Sequence, residues 1–234
     1  ERTVQFIKKK MDDPAYVVEI DGQVWTPTEI SAMILSKLKN DCTTLIGEID
    51  EVVVTVPANF NELARNATVT AGRMAGLNVT RIVNEPTAAA LYYAHTQKVD
   101  GRVLVYDLGG GTLDITVLEI EHDRVDILVS EGARHLGGSD FDEVLVELVA
   151  ERYRETTGNE LILNERHRRR LLGTCEDLKK MLSKLKIVSE TVGNDRHGIS
   201  RIELTRELFE EAISRLLTRT TMLVEQALDH LALL

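Results

Sequence analysis

Between Asp107 and Asp114 the chain reads D-L-G-G-G-T-L-D, two carboxylates and a hydroxyl around three consecutive glycines. Without Cβ atoms at Gly109, Gly110 and Gly111, main-chain N–H groups can come close to an anion. Asp107 and Thr112 then stand beside it as candidates for a metal-bound water and for a phosphate oxygen. A tight turn whose glycines only supply positive φ is the competing reading, because glycine is common in hairpins. Two other phosphate sites are excluded. A P-loop needs G-x-x-x-x-G-K-[ST] opening a helix, and the dinucleotide fingerprint needs a third glycine where this chain has Asp114.

The elements that must hold these residues follow from periodicity. Val103 to Tyr106 reads as a strand buried on both faces, and Leu113, Ile115 and Val117 alternate with Asp114 and Thr116, so the glycines join two strands of a hairpin. Arg124 to Ser130 adds a third strand, which Leu136-Gly137-Gly138-Ser139 breaks. Ser139 is the expected cap of a helix from Asp140 to about Thr157. A helix over Glu165 to Leu185 follows, then two strands, Lys186 to Val192 and Ile199 to Leu204, around Gly193-Asn194. The last helix starts at Thr205 and carries Leu208, Phe209, Ala212, Ile213, Leu216, Leu217, Leu223, Val224, Leu228 and Leu231, a face expected to pack inward.

Upstream, Thr3 to Met11 is a short amphipathic stretch that ends in Lys8, Lys9 and Lys10. Tyr16 to Ile20 and Gln23 to Trp25 flank Asp21-Gly22, a two-residue hairpin signal. Thr26-Pro27-Thr28-Glu29 is a complete helix start, with Thr26 as N-cap, Pro27 in the first turn and Glu29 closing a capping box. That helix carries Ile30, Met33, Ile34 and Leu38 on one face and should end near Gly47. Glu51 to Val56 reads as a buried strand, Phe60 to Met74 as a helix, Val79 to Val83 as a strand and Pro86 to Ala94 as a helix. The order predicts an α/β fold with a parallel crossover, and Thr96 to Gly101 is the candidate lobe boundary.

Composition bounds the function. At 234 residues and 26.2 kDa, with 43% hydrophobic and 28% charged residues, the chain can bury a full core. No apolar run approaches the roughly 18 residues of a membrane span. A net charge of −10, from 38 acids against 28 bases, argues against nucleic acid as a partner. Cys42 and Cys175 lie far apart without metal-ligand neighbours, which suggests free thiols in a reducing, cytoplasmic setting. The N-terminus, ERTVQFIKKKM, has neither an initiator Met nor an apolar signal segment, and is read as the start of an excised piece.

Five blocks then carry a resemblance: DLGGGTLD; VNEPTAAAL at Val83 to Leu91; VPANF at Val56 to Phe60; AGLNVTRIVNEP; and LGGSDFD at Leu136 to Asp142. In their order and spacing they closely resemble the nucleotide-binding domain of the seventy-kilodalton heat-shock chaperones, the DnaK type. The resemblance runs over essentially the whole chain. It implies an α/β fold of the actin-like ATPase kind, ribonuclease-H-like sheets with flanking helices in two partial lobes, with ATP or ADP and Mg2+ as cofactors. It divides the chain into the end of the outer subdomain of lobe I (1–25), the inner subdomain of lobe I (26–97), the first part of the inner subdomain of lobe II (98–138), the outer subdomain of lobe II (139–204) and a helix returning to the inner one (205–234).

Motif by motif, the resemblance places Lys8 at the family's catalytic lysine and Glu85 at the acid near the magnesium-bound water. It places Asp107, Thr112 and Asp114 at the acid, hydroxyl and second acid of a phosphate motif. Asp107 and Glu85 would then touch Mg2+ through water. Gly109, Gly110, Gly111, Gly137 and Gly138 would lie near phosphates and sugar. CEDLKKMLS is similar to the nucleoside-binding helix, which puts Glu176, Lys179, Lys180 and Ser183 around adenosine. Those four share one helix face at i, i+3, i+4 and i+7, although a salt-bridged surface helix has the same spacing. Read without the family, Lys8 is a surface lysine, Glu85 a helix cap and Asp107 the acid ending a strand.

The family also implies a stress-response chaperone whose parent hydrolyses ATP to control peptide binding in a separate domain. Its partners would be nucleotide, a J-domain co-chaperone and a nucleotide-exchange factor, with no nucleic acid and no membrane. The family's D-L-G-T-T hairpin and G-G-S-T-R segment are not among these residues, so the expectation is a domain fragment with weak or no turnover and with sheet edges that invite self-association. Asn59 stands where the family usually has Tyr, and Leu113 where it usually has Phe. The alternatives are a non-enzymatic interaction module of the same fold and another actin-like ATPase, a sugar kinase or filament-forming relative.

Overall fold

A computed structural model describes residues 3–97, 99–122, 124–194 and 198–233. The chain forms two compact units: Glu1–Asp107 with Asp114–Arg134 and Gln226–Leu234, and Leu108–Leu113 with His135–Glu225.

The first unit is mixed α/β. A single 3-10 turn, Ile7–Lys10, is anchored by buried Ile7. β1 (Val18–Ile20) and β2 (Gln23–Trp25) pair antiparallel through Asp21-Gly22, both at positive φ as that turn requires. The expected helix start is present in full: Thr26 caps α1 (Pro27–Ile46), its side chain accepts from the Glu29 N–H, and Glu29 accepts from the Thr26 N–H in return. β3 (Val52–Val56) and β4 (Val79–Asn84) are parallel, joined by α2 (Glu62–Met74), so the predicted crossover exists.

α3 (Glu85–Gln97) leads to a three-stranded sheet in the order β5 (Gly101–Leu108), β6 (Leu113–Glu121), β7 (Arg124–Ala133). α3 contributes Ala90 to a small core with Leu118 and Ile120, lined further by Val103, Val105 and Val125. One expectation of burial fails here. β5 alternates, with Leu104 and Tyr106 exposed, and the strand buried on both faces is β6, from Leu113 to Leu118, which lies between its two neighbours. On α1 only Ile30 of the expected face is buried, while Met33, Ile34 and Leu38 are exposed.

The second unit has a core of large side chains. α4 (Gly138–Thr157) and α5 (Glu165–Leu182) pack with the antiparallel pair β8 (Ile187–Asn194) and β9 (Gly198–Thr205) around Leu145, Tyr153, Leu178, Leu182, Ile202 and Leu204. Cys175 lies inside this core, and burial pushes its thiol up to about 12. The strands run past the expected turn, since Gly193 and Asn194 pair with Ile199 and Gly198. Asn164 caps α5 by accepting from the His167 N–H. Gly137, and not Ser139, occupies the N-cap of α4.

α6 (Arg206–Ala232) begins as predicted, with the Thr205 hydroxyl accepting from the Leu208 N–H. Its apolar face is divided: Phe209 and Ile213 are core, whereas Leu217 and Leu228 are exposed. Among the described residues no helix is long and apolar enough to cross a membrane.

Candidate functional site

In the first unit an ionic cluster forms at the ends of three elements. The 3-10 turn presents Lys8, and the first residue of α3 presents Glu85; Lys8 Nζ lies 2.8 Å from Glu85 Oε1, with the side chains 56% and 24% exposed. A cleft of about 240 Å³ opens beside this pair, walled by Ile34, Val54, Val56 and Ala71.

Near the start of β6, Asp114 is 1% exposed, and its Oδ1 has no hydrogen-bond partner among the described residues. Burial pushes its carboxyl up to about 6; the Asn59 N–H opposes that rise, the charges of Glu85 and Asp107 add to it, and Lys8 opposes it. Lys8, Glu85 and Asp107 are therefore electrostatic neighbours of Asp114.

The loop Pro57–Phe60 supplies that N–H and is tied down from two sides. Arg65, on α2, donates from Nε to the Phe60 carbonyl at 3.0 Å and from Nη2 to the Ala58 carbonyl at 3.2 Å and to Asn84 Oδ1 at 2.7 Å. Asn84 directly precedes Glu85, so one guanidinium joins the loop to the strand end that carries the acid. Arg134, beyond β7, donates to the Asn59 carbonyl at 3.2 Å and pairs with Asp12. Both polar atoms of the Asn59 side chain are buried without a partner among the described residues.

The second unit holds the glycines. The Gly109 N–H closes the turn onto the Thr112 carbonyl at 2.9 Å. None of Gly109, Gly110 and Gly111 has positive φ, so the turn does not need glycine for its dihedrals. Close approach is the reason instead. Gly138 N–H donates to the Gly109 carbonyl at 2.9 Å and Ser139 N–H to the Gly110 carbonyl at 2.7 Å, so the second glycine pair lies on the first.

A Cβ on Gly137 would come within 2.6 Å of Gly111 N and 2.7 Å of Gly109 O, although its extended backbone would suit any residue. A Cβ on Gly110 would meet nothing within 4 Å. The N–H groups of Gly110, Gly111 and Thr112 have no acceptor among the described residues. Free amides on an open turn are a setting for an anion.

α5 meets this cluster through Lys179. Its Nζ is 2.8 Å from the Gly138 carbonyl and 2.6 Å from Asp142 Oδ1, with side chains 20% and 7% exposed. Burial pushes the Asp142 carboxyl up, and Lys179 opposes the rise. One turn further out, Lys180 pairs with Glu176 at 2.8 Å in solvent, which holds the Glu176 carboxyl below its usual range. Ser183 follows the helix end and donates to the Lys179 carbonyl at 3.5 Å. Of the four expected adenosine contacts, Lys179 is thus committed to the glycine motif, while Glu176 and Lys180 face water.

Two glycine motifs joined main chain to main chain, with an acid and a lysine beneath them, agree with the comparison against known families. The model of the family described as Hsp70 protein matches residues 1–233. The chain belongs to the Hsp70 family. It is a member of a family of nucleotide-binding heat-shock chaperones, as its motifs implied.

For an Hsp70 chain the donor set suits anions better than a directly held cation: among the described residues no three His, Cys, Asp or Glu side chains stand close enough together to bind a metal ion. Sequence reasoning missed Arg134, Asp12 and Asp142. Arg134 carries no signal, because its partners lie 122 and 75 residues away. Asp142 was visible in LGGSDFD, four residues after Gly138, and was left without a role.

Proposed function

We propose that this chain is the ATP-handling part of a chaperone, with the actin-like ATPase fold in two partial lobes and the subdomain limits 1–25, 26–97, 98–138, 139–204 and 205–234. The reading is supported above all by one observation, the joined glycine turns that leave the amides of Gly110, Gly111 and Thr112 without acceptors among the described residues. Those amides and the Thr112 hydroxyl bind phosphate oxygens, while Gly137 and Gly138 keep the turn open to them. Lys8 sets a positive charge toward the terminal phosphate, Glu85 and Asp107 orient water, and Asp114 adds a second acid. Glu176, Lys179, Lys180 and Ser183 form the nucleoside side of the site.

Asp107 and Glu85 would hold Mg2+ through its waters, and the ion would supply neutralisation of phosphate charge. In the cell the chain works in the cytoplasm with a J-domain co-chaperone, a nucleotide-exchange factor and unfolded peptide, and its exposed sheet edges favour self-association.

Isothermal titration with ADP and Mg2+ tests the reading. Weak binding that disappears with Asp107→Asn is expected; no heat from either protein would refute it, and tight binding would show that these residues alone suffice. The orphaned amide of Asn59 favours a second reading, a non-enzymatic module of the same fold. Hydrolysis by the chain supplied with the family's D-L-G-T-T hairpin distinguishes the two, because a module stays inactive.

A further inference from the structure

The geometry points to Arg134 as a positioning residue that locks Lys8 and Asp114 into one arrangement, a role that rests on the nucleotide reading for its purpose. Arg134 has a single guanidinium and two unrelated partners. One side pairs with the carboxylate of Asp12 and the other donates to the main-chain carbonyl of Asn59 at 3.2 Å.

Asp12 lies four residues after Lys8, just past the 3-10 turn that presents the lysine. Asn59 sits in the loop whose own N–H lies close enough to Asp114 to oppose the rise of its carboxyl. A planar fork with fixed donor directions therefore joins the segment under Lys8 to the segment under Asp114, which neither segment does for the other.

The lock meets a local need. The 3-10 turn is only four residues long, follows a Phe6 at positive φ, and has no side-chain cap at its start. Such a turn holds its geometry poorly by itself. The loop 57–60 is irregular, and with the Asn59 amide unpartnered its side chain adds nothing to hold it. Arg65 fixes the same loop toward Asn84 and Glu85, and Arg134 fixes it toward Asp12 and Lys8. The two arginines bracket Asn59, so that the lysine and both acids keep one relative placement before any ligand arrives. A lysine at 134 would keep the charge but lose the second directed donor.

The test uses the intact chain with Arg134→Ala, Arg134→Lys and, as a control at the far end of the strand that precedes Arg134, Arg124→Ala, whose exposed partner is Asp126. Lysines are carried as 13C-dimethyl derivatives and the Lys8 signal is assigned with Lys8→Arg. In the ligand-free protein the Lys8 signal should stand apart from those of solvent-exposed lysines, collapse onto them in Arg134→Ala, and return part-way in Arg134→Lys.

Amide exchange should accelerate at least tenfold over residues 7–12 and 58–60 in Arg134→Ala and stay unchanged in Arg124→Ala. A Lys8 signal that coincides with exposed lysines in the unaltered chain, or that does not move in Arg134→Ala, overturns the proposal, and so does unchanged exchange at both segments. These readouts need no nucleotide. A chain that shows them without binding ADP would keep the lock and lose the ATPase reading.

Discussion

The two units solve the same problem, holding polar chemistry still, by opposite means. In the second, glycine turns are fastened main chain to main chain and lie beside a core of large buried side chains, including Tyr153, Leu145 and Ile202. In the first, charged side chains are held by other charged side chains, and long apolar residues such as Leu45 remain 83% exposed. Main-chain fastening tolerates almost no change of residue, whereas side-chain fastening tolerates changes one at a time. The first unit should therefore be the softer of the two and the more responsive to pH.

The contrast breaks most sharply at Gly137. Gly137→Ala should destabilise the second unit by about 3 kcal/mol or more, because the new methyl has main chain on several sides and none of it can move cheaply. Gly110→Ala should cost less than about 0.5 kcal/mol, since its Cβ meets open space. Equal unfolding midpoints for the two variants would show that the glycine motifs are not in contact.

Lys179→Met comes next, leaving the Asp142 carboxylate buried without its cation. A loss of about 2.5 kcal/mol is expected, less than for a wholly buried pair because Lys179 is 20% exposed. The double variant Lys179→Met, Asp142→Leu should recover most of it, and thermal unfolding of the four proteins closes the cycle.

A smaller effect, of opposite sign, is expected in the first unit. Asp114 titrates near 3.8 when unfolded and near 6 when folded, so folding favours its protonated form. Its contribution is fully present below about pH 4, falls through the window from 4 to 6, and is flat above. Asp114→Asn should remove that slope and stabilise the chain at pH 7 by about 2 kcal/mol. Denaturant melts at pH 4, 5, 6 and 7 measure it, and a variant less stable at pH 7 would show that the acid is well solvated. Least of all, Lys8→Ala should change stability by under about 0.5 kcal/mol, because its pair with Glu85 is open to solvent.

Local features were the most legible in the sequence. Thr26, Pro27 and Glu29 announce the start of α1 because a capping box is written within four residues, and Asp21-Gly22 announces a turn for the same reason. The crossover between β3 and β4 follows from element order. Burial was read less well. The run Val103 to Tyr106 looks covered on both faces, yet coverage depends on sheet order, and that put β6 in the middle. The helix start at Gly137 escaped because Ser139 is the better capping residue by type, while the choice was made by contact with Gly109 and Gly110. Arg134, Asp12 and Asn59 come together only through the fold, and nothing in their spacing shows it.

The placement of the two cysteines has a practical consequence. Cys42 is exposed on α1, and Cys175 is enclosed in the second unit with a thiol that ionises only near 12. An alkylating reagent near neutral pH will label Cys42 at once and reach Cys175 only during openings of its unit. With Cys42→Ser in place, the native sulfur at 175 becomes an internal clock, and its labelling half-life times how often that half of the molecule comes apart, with no added probe.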